Sequence, residues 1–172
     1  MKYFFLILAI VLIVGCTQPS KPLTWVCPDG TEVLGGPSQC PETSFCKGTA
    51  RCFNGAVTKV VDGDTLDVNN ISIRLTLVNA PEYTERDGSD NEEGGFEAME
   101  FASSVCPIGS KAIVDEDDGQ TAGSYGRIIA VVYCNGRNLN AKLLDNGKAT
   151  IDQNFCNVSE FANENWVKTY GC

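Results

Sequence analysis

An α+β fold, mainly β, with three helices and a small disulfide-rich segment ahead of it, is what the sequence predicts. Three observations carry this. Short β-branched and apolar segments begin at Ala56 and recur as far as Tyr133. Between and after them lie stretches with helical spacing. Residues 24–53 are rich in Gly, Pro and Cys and have no sustained period, too short a segment to own a core. At 172 residues one domain with a small appendage is expected.

The elements follow in order. Ala56–Val61 and Thr65–Val68 read as strands, and Ile71–Val78 alternates before it meets Pro81. Asn69-Asn70 is a two-residue hairpin signal, because asparagine tolerates positive φ. Phe96, Met99, Phe101, Ala102 and Val105 form one helical face, ended by Pro107 and Gly109. Lys111–Val114 and Arg127–Tyr133 are two further strands. Asn140 is expected to cap a helix running to Asn146, with Gly147 as its stop. Ser159–Tyr170, bearing Phe161 and Trp166, reads as a last helix.

The N-terminus reads differently. Lys2 precedes an unbroken apolar run of eleven residues, Phe4 to Val14, too short to span a bilayer core of about 30 Å. It ends in Val14-Gly15-Cys16, which looks like a lipoprotein cleavage site. The expected organisation is a lipoprotein signal peptide over 1–15, a tether over 16–23, a Cys/Gly/Pro-rich knob over 24–53 and the main domain over 54–172. Cys16 is the expected lipidation site. The corresponding location is extracytoplasmic, anchored to the cell membrane through that lipid.

Of nine cysteines, removing Cys16 leaves an even eight, which outside the cytoplasm reads as four disulfides. Connectivity does not follow from sequence, but chain neighbours suggest Cys27 with Cys40, Cys46 with Cys52, Cys106 with Cys134 and Cys156 with Cys172. A zinc site within 27–52 is the rival. It lacks a Cys-x-x-Cys pair, and the chain has no histidine.

The chemistry-bearing residues are Asp62-Gly63-Asp64-Thr65, then Arg74, then Asn79-Ala80-Pro81-Glu82, and later Ser124-Tyr125-Gly126-Arg127. Each piece alone is ordinary turn or surface chemistry; their conjunction in this order is the signal. Over about residues 54–152 the chain resembles the staphylococcal-type thermonucleases, Ca²⁺-dependent nucleases. The resemblance implies a five-stranded OB-fold barrel and hydrolysis of phosphodiester bonds in DNA and RNA, leaving 3′-phosphates.

By that resemblance Asp64 is the principal Ca²⁺ ligand, its carboxylate expected to point off the barrel edge. Asn79 stands where the family usually has a second aspartate, and Ala80 where a backbone carbonyl ligates. An amide oxygen can bind a hard cation but brings no charge, so a weaker metal site is expected. Glu82 matches the general base or water-orienting carboxylate. Arg74 and Arg127 match the two phosphate-binding arginines, whose planar forks donate pairs of hydrogen bonds to phosphate oxygens. Tyr125 is placed to touch the substrate's terminal phosphate. Asp62 is expected to form the turn rather than to ligate.

The chain also departs from the family. Ser124 replaces a lysine, and no stacking tyrosines occur around Thr150–Asp152. The loop after Glu82 carries Glu85, Asp87, Asp90, Glu92 and Glu93 against Arg86 alone. The net charge is −9, and residues 56–172 hold nineteen acids against nine Lys and Arg. A basic patch, the usual mark of nucleic-acid binding, is missing. A noncatalytic OB-fold binder would need basic grooves and aromatic platforms, so the acidic surface excludes that class more strongly than it excludes a weakly binding enzyme. The expectation is a monomeric, membrane-tethered nuclease with nucleic acid as its partner. The alternative is a catalytically inactive OB-fold surface lipoprotein that binds a protein, glycan or nucleic acid.

Overall fold

In a computed structural model, residues 24–27, 31–84 and 91–172 are described. The N-terminal apolar run, Cys16, the tether, and Glu85, Arg86, Asp87 and Asp90 lie outside the described residues.

A short antiparallel hairpin, β1 (Thr24–Val26) and β2 (Glu32–Leu34), precedes two 3₁₀ turns at Pro37–Gln39 and Glu42–Phe45. The main sheet then starts at β3 (Cys52–Val60), earlier than Ala56, because Cys52 to Ala56 pair with Asp115 to Lys111. β4 (Thr65–Val68) and β5 (Ile71–Leu75) follow, joined at Asn69-Asn70, whose φ angles of 51° and 62° are the positive values the turn demands.

The strand expected to run on to Val78 breaks instead. Leu77 adopts φ 62°, and the chain turns so that β6 (Val78–Asn79) pairs with β10 (Thr150–Ile151). α1 (Gly95–Val105), β7 (Lys111–Glu116) and β8 (Ile128–Cys134) come next, and β9 (Arg137–Asn138) leads into α2 (Leu139–Asp145).

β3 pairs with β4 and β7, β4 with β5, and β7 with β8, all antiparallel; β5 pairs with β8 in parallel. Each of these five strands therefore has a neighbour on both sides, and the described residues are mainly β with three α-helices.

Two expectations about helices are corrected. Asn138, not Asn140, caps α2: its side chain accepts a hydrogen bond from the Ala141 N–H. Asn140 is buried, and its amide bridges strands: Oδ1 accepts from Val132 N, and Nδ2 donates to Thr76 O and Ala130 O. The single last helix is also divided. A 3₁₀ turn at Glu160–Asn163 stops at Glu164, whose ψ of 145° is extended, and α3 (Asn165–Lys168) begins after it.

β8 is buried along its whole length, which explains why Ile128 to Tyr133 is apolar without alternation. Its even-numbered residues join Val57, Leu66, Ile73, Leu139 and Leu143 in one cluster. Val131 and Tyr133 face a second cluster with Phe45, Phe161 and Val167, and the rings of Phe45 and Tyr133 lie 4.8 Å apart.

The four disulfides are those suggested by chain neighbours: Cys27–Cys40, Cys46–Cys52, Cys106–Cys134 and Cys156–Cys172. All eight cysteines are thereby consumed, which leaves no zinc site among them. The acidic end of β7 also holds the 46–52 loop. Asp115 Oδ2 accepts from Lys47 N (2.8 Å), Asp118 accepts from Thr49 N and Ala50 N, and Glu116 takes both arms of Arg51.

Candidate functional site

The turn after β3 builds the first part of the site. Asp62 Oδ1 accepts from Asp64 N at 3.0 Å, so Asp62 shapes the turn, in keeping with the role expected of it. Gly63 is required by close approach: a Cβ there would lie 2.6 Å from that of Ala80 and 2.8 Å from that of Ala98. The turn is thus pressed against β6 and α1, and Asp64 is carried inward.

Asp64 is only 3% exposed, so it does not project from a barrel edge as expected. Its oxygens are taken up by neighbours: Oδ2 accepts from Ala80 N at 2.6 Å, and Oδ1 pairs with Arg74 Nη1 at 2.6 Å. Arg74 also donates to Val78 O (2.9 Å) and to Asn79 Oδ1 (3.2 Å). One guanidinium therefore ties Asp64 to β6.

Burial pushes the Asp64 carboxyl up to about 7. Arg74 and the Ala80 N–H oppose this, while the nearby charges of Asp62 and Glu82 reinforce it. One guanidinium does not fully compensate the buried charge.

Arg127 follows the Ser124–Arg127 turn, in which Tyr125 and Gly126 take φ 51° and 77°; the glycine carries the second positive angle without strain. Its Nε donates to Ser124 O at 3.3 Å. The parallel register sets Arg74 opposite Ile129, so Arg127, two residues before Ile129, falls on the same face as Arg74. Both arginines line one cavity of about 240 Å³. Tyr125 does not line it. It is 97% exposed, with the Arg127 guanidinium 5.8 Å from its ring centre.

Glu82 is exposed, and its backbone is anchored near the start of α1: its carbonyl accepts from Glu92 N (2.9 Å), and its N–H donates to Glu92 Oε2 (3.1 Å). Among the described residues its carboxylate takes no hydrogen bond.

Among the described residues no group of three or more His, Cys, Asp or Glu side chains forms a metal cage. The Asp64 carboxylate and the Asn79 amide, both held by Arg74, offer oxygen donors only. That set, with a buried carboxylate incompletely compensated, suits a hard divalent cation that keeps several waters.

The cavity also contains residues that sequence reasoning passed over, namely Gln120, Asp152 and Phe155. Phe155 gave no signal, because it lies in a 3₁₀ turn (Gln153–Phe155) with no strand or helix periodicity.

The family model of staphylococcal nuclease homologues matches residues 72–167. The uncharacterized protein MJ1439 of Methanocaldococcus jannaschii is 31% identical over 155 residues, covering 73% of this chain and 74% of that protein. Endonuclease YhcR of Bacillus subtilis is 32% identical over 107 residues, 56% of this chain but only 9% of its own length. Endonuclease YncB of the same organism is 28% identical over 113 residues, 63% of this chain and 53% of its own.

Proposed function

The chain belongs to the staphylococcal nuclease homologue family, and from that premise we propose that it is a Ca²⁺-dependent phosphodiester hydrolase acting on single-stranded or loosened DNA and RNA. The observation that carries this reading is the pair Arg74 and Arg127 on one face around one cavity, with Glu82 and Asp64 close enough for their charges to interact.

Hydrolysis needs a water aimed at phosphorus and compensation of the charge that builds on the equatorial oxygens. Glu82, with an exposed carboxylate, orients the water and accepts its proton. Arg127 and Arg74 donate to the phosphate oxygens, and as preorganised cations they favour the more negative transition state. Arg74 is itself held by Asp64, Val78 and Asn79, so its fork is positioned before substrate arrives. Ca²⁺ would be held by Asp64, Asn79 and the Ala80 carbonyl, and when bound it would supply positive charge that offsets the developing negative charge. Tyr125 is the proposed contact to a terminal phosphate. The 3′-phosphate products follow from the family.

We read the five mutually paired strands as an OB-fold barrel, and residues 54–172 as the catalytic domain behind the 24–53 knob. Lipidation at Cys16 would place a monomeric enzyme on the outer side of the cell membrane, and four disulfides suit that oxidising location.

Hydrolysis of single-stranded DNA with Ca²⁺ or EDTA, beside a folded Glu82→Gln control, tests the reading. Ca²⁺-dependent cleavage lost in the control supports it. No cleavage by the folded protein at millimolar Ca²⁺ would favour the inactive, binding-only lipoprotein.

A further inference from the structure

The hairpin of β1 and β2 leaves its apolar side chains outside the core. Trp25 is 44% exposed, Val26 59% and Leu34 66%. None of them, nor Val33 opposite Trp25, belongs to either hydrophobic cluster of the described residues. Side chains alternate along a strand, so Trp25 and Val33 stand on one face of the ribbon, and Val26 and Leu34 on the other. A two-stranded ribbon without a covering layer is marginal by itself. This one is fastened to the body. Cys27, directly after β1, is buried and bonded to Cys40, and its N–H donates to Thr31 O at 2.8 Å.

The ribbon joins the main sheet far from the two arginines. Pro37, three residues after Leu34, lies against Gly136: a Cβ on Gly136 would come within 2.3 Å of the Pro37 carbonyl oxygen. Gly136 follows the C-terminal end of β8, whereas Arg127 precedes its N-terminal end. The seven residues of β8 put about 20 Å of strand between them.

The first residue of the ribbon faces the proposed anchor. Thr24, opposite Leu34, is eight residues from Cys16, a reach of at most about 29 Å even when fully extended. With Cys16 acylated, the ribbon stays beside the bilayer surface, and its docking there is an intramolecular step at an effective concentration on the order of millimolar.

We propose that the β1–β2 ribbon seats in the headgroup layer of the membrane to which Cys16 is anchored, with Trp25, Val26 and Leu34 as its contacts, so that the end of the molecule carrying Arg127 is held away from the bilayer. The proposal rests on the lipoprotein reading for its anchor. An indole suits this layer because its ring is apolar while its N–H keeps a polar partner. A ribbon with exposed apolar side chains on both faces fits a layer that surrounds it better than a partner surface that covers one face. Glu32, exposed and opposite Val26, keeps the seat shallow, since a carboxylate is costly in hydrocarbon.

The test is tryptophan emission of the protein purified with its anchor and reconstituted into phosphatidylcholine vesicles, with and without bromine on the acyl chains near the headgroups. The chain has two tryptophans, and Trp166 packs against the core. Brominated lipid should therefore remove about half of the emission. Trp25→Phe should abolish that quenching. Val26→Ser combined with Leu34→Ser should reduce it, with the Cys27–Cys40 bridge shown intact by alkylation and mass spectrometry. Equal emission in plain and brominated vesicles overturns the proposal. So does emission that shifts only with protein density, the mark of a second copy seated on the ribbon. The mass of the peptide carrying Cys16 decides the lipoprotein reading separately. If that thiol is free, coupling it to a maleimide-bearing phospholipid supplies the same tether, and the same outcomes apply.

Discussion

Arg74 Nη1 lies 2.6 Å from Asp64 Oδ1, and both side chains are largely out of solvent, at 17% and 4% exposure. Removing one partner of such a pair leaves a buried charge uncompensated, at a cost of about 3–5 kcal/mol. Arg74→Met is expected to destabilise the fold by that order in denaturant titration. Adding Asp64→Asn to it should recover much of the loss. Additive losses in the double variant would show that the two side chains do not stabilise one another.

Gly63 is expected to tolerate no side chain. In Gly63→Ala the new methyl must displace Ala80 and Ala98, an overpacking effect of about 1–3 kcal/mol. Because Ala80 N holds Asp64, hydrolysis should fall together with stability. Unchanged thermal stability in this variant would mean that the turn is not pressed against α1.

Asn79 accepts from Arg74 through an uncharged amide. Asn79→Asp adds a carboxylate beside Asp64 and Ala80, so Ca²⁺ should bind more tightly by calorimetry. No change in affinity would remove Asn79 from the cation site.

Asp115 is fully buried, and its Oδ1 has no hydrogen-bond partner among the described residues. Burial raises its carboxyl from the ordinary 3.8 to about 7, with Glu160 and Asp118 adding to the rise and the Lys47 N–H opposing it. Between these values the folded protein carries a proton that the unfolded chain has lost, so this group's contribution to stability falls as pH rises through that window. Asp115→Asn should flatten that part of the melting-temperature profile between pH 4 and 7. A difference curve with no slope there would show that Asp115 titrates normally.

The Cys106–Cys134 bridge joins two fully buried residues, one following α1 and one ending β8. Replacing both by alanine should cost about 2–5 kcal/mol. The other three bridges should survive in that variant, checked by alkylation and mass spectrometry; two or more free thiols in the unaltered protein would contradict the four pairings.

What the sequence determined by itself is local or paired along the chain. The Asn69-Asn70 turn was legible because two positive φ angles demand residues that accept them. The four disulfides were legible because their partners are neighbours across a hairpin or a short segment. The order of acids and arginines was readable as well, since phosphate chemistry restricts which side chains can serve.

The tertiary structure decided what those groups face. Asp64 reads as a projecting ligand until Gly63 packs on Ala80 and Ala98 and turns it toward Arg74. Asn140 reads as a cap until its amide is needed between Val132 and Thr76. Phe155 has no sequence signal because only the fold of the Asp152–Cys156 turn against Leu77 brings it to the arginines. The reason is physical: a side chain's environment is set by residues distant along the chain, and periodicity reports only on those nearby.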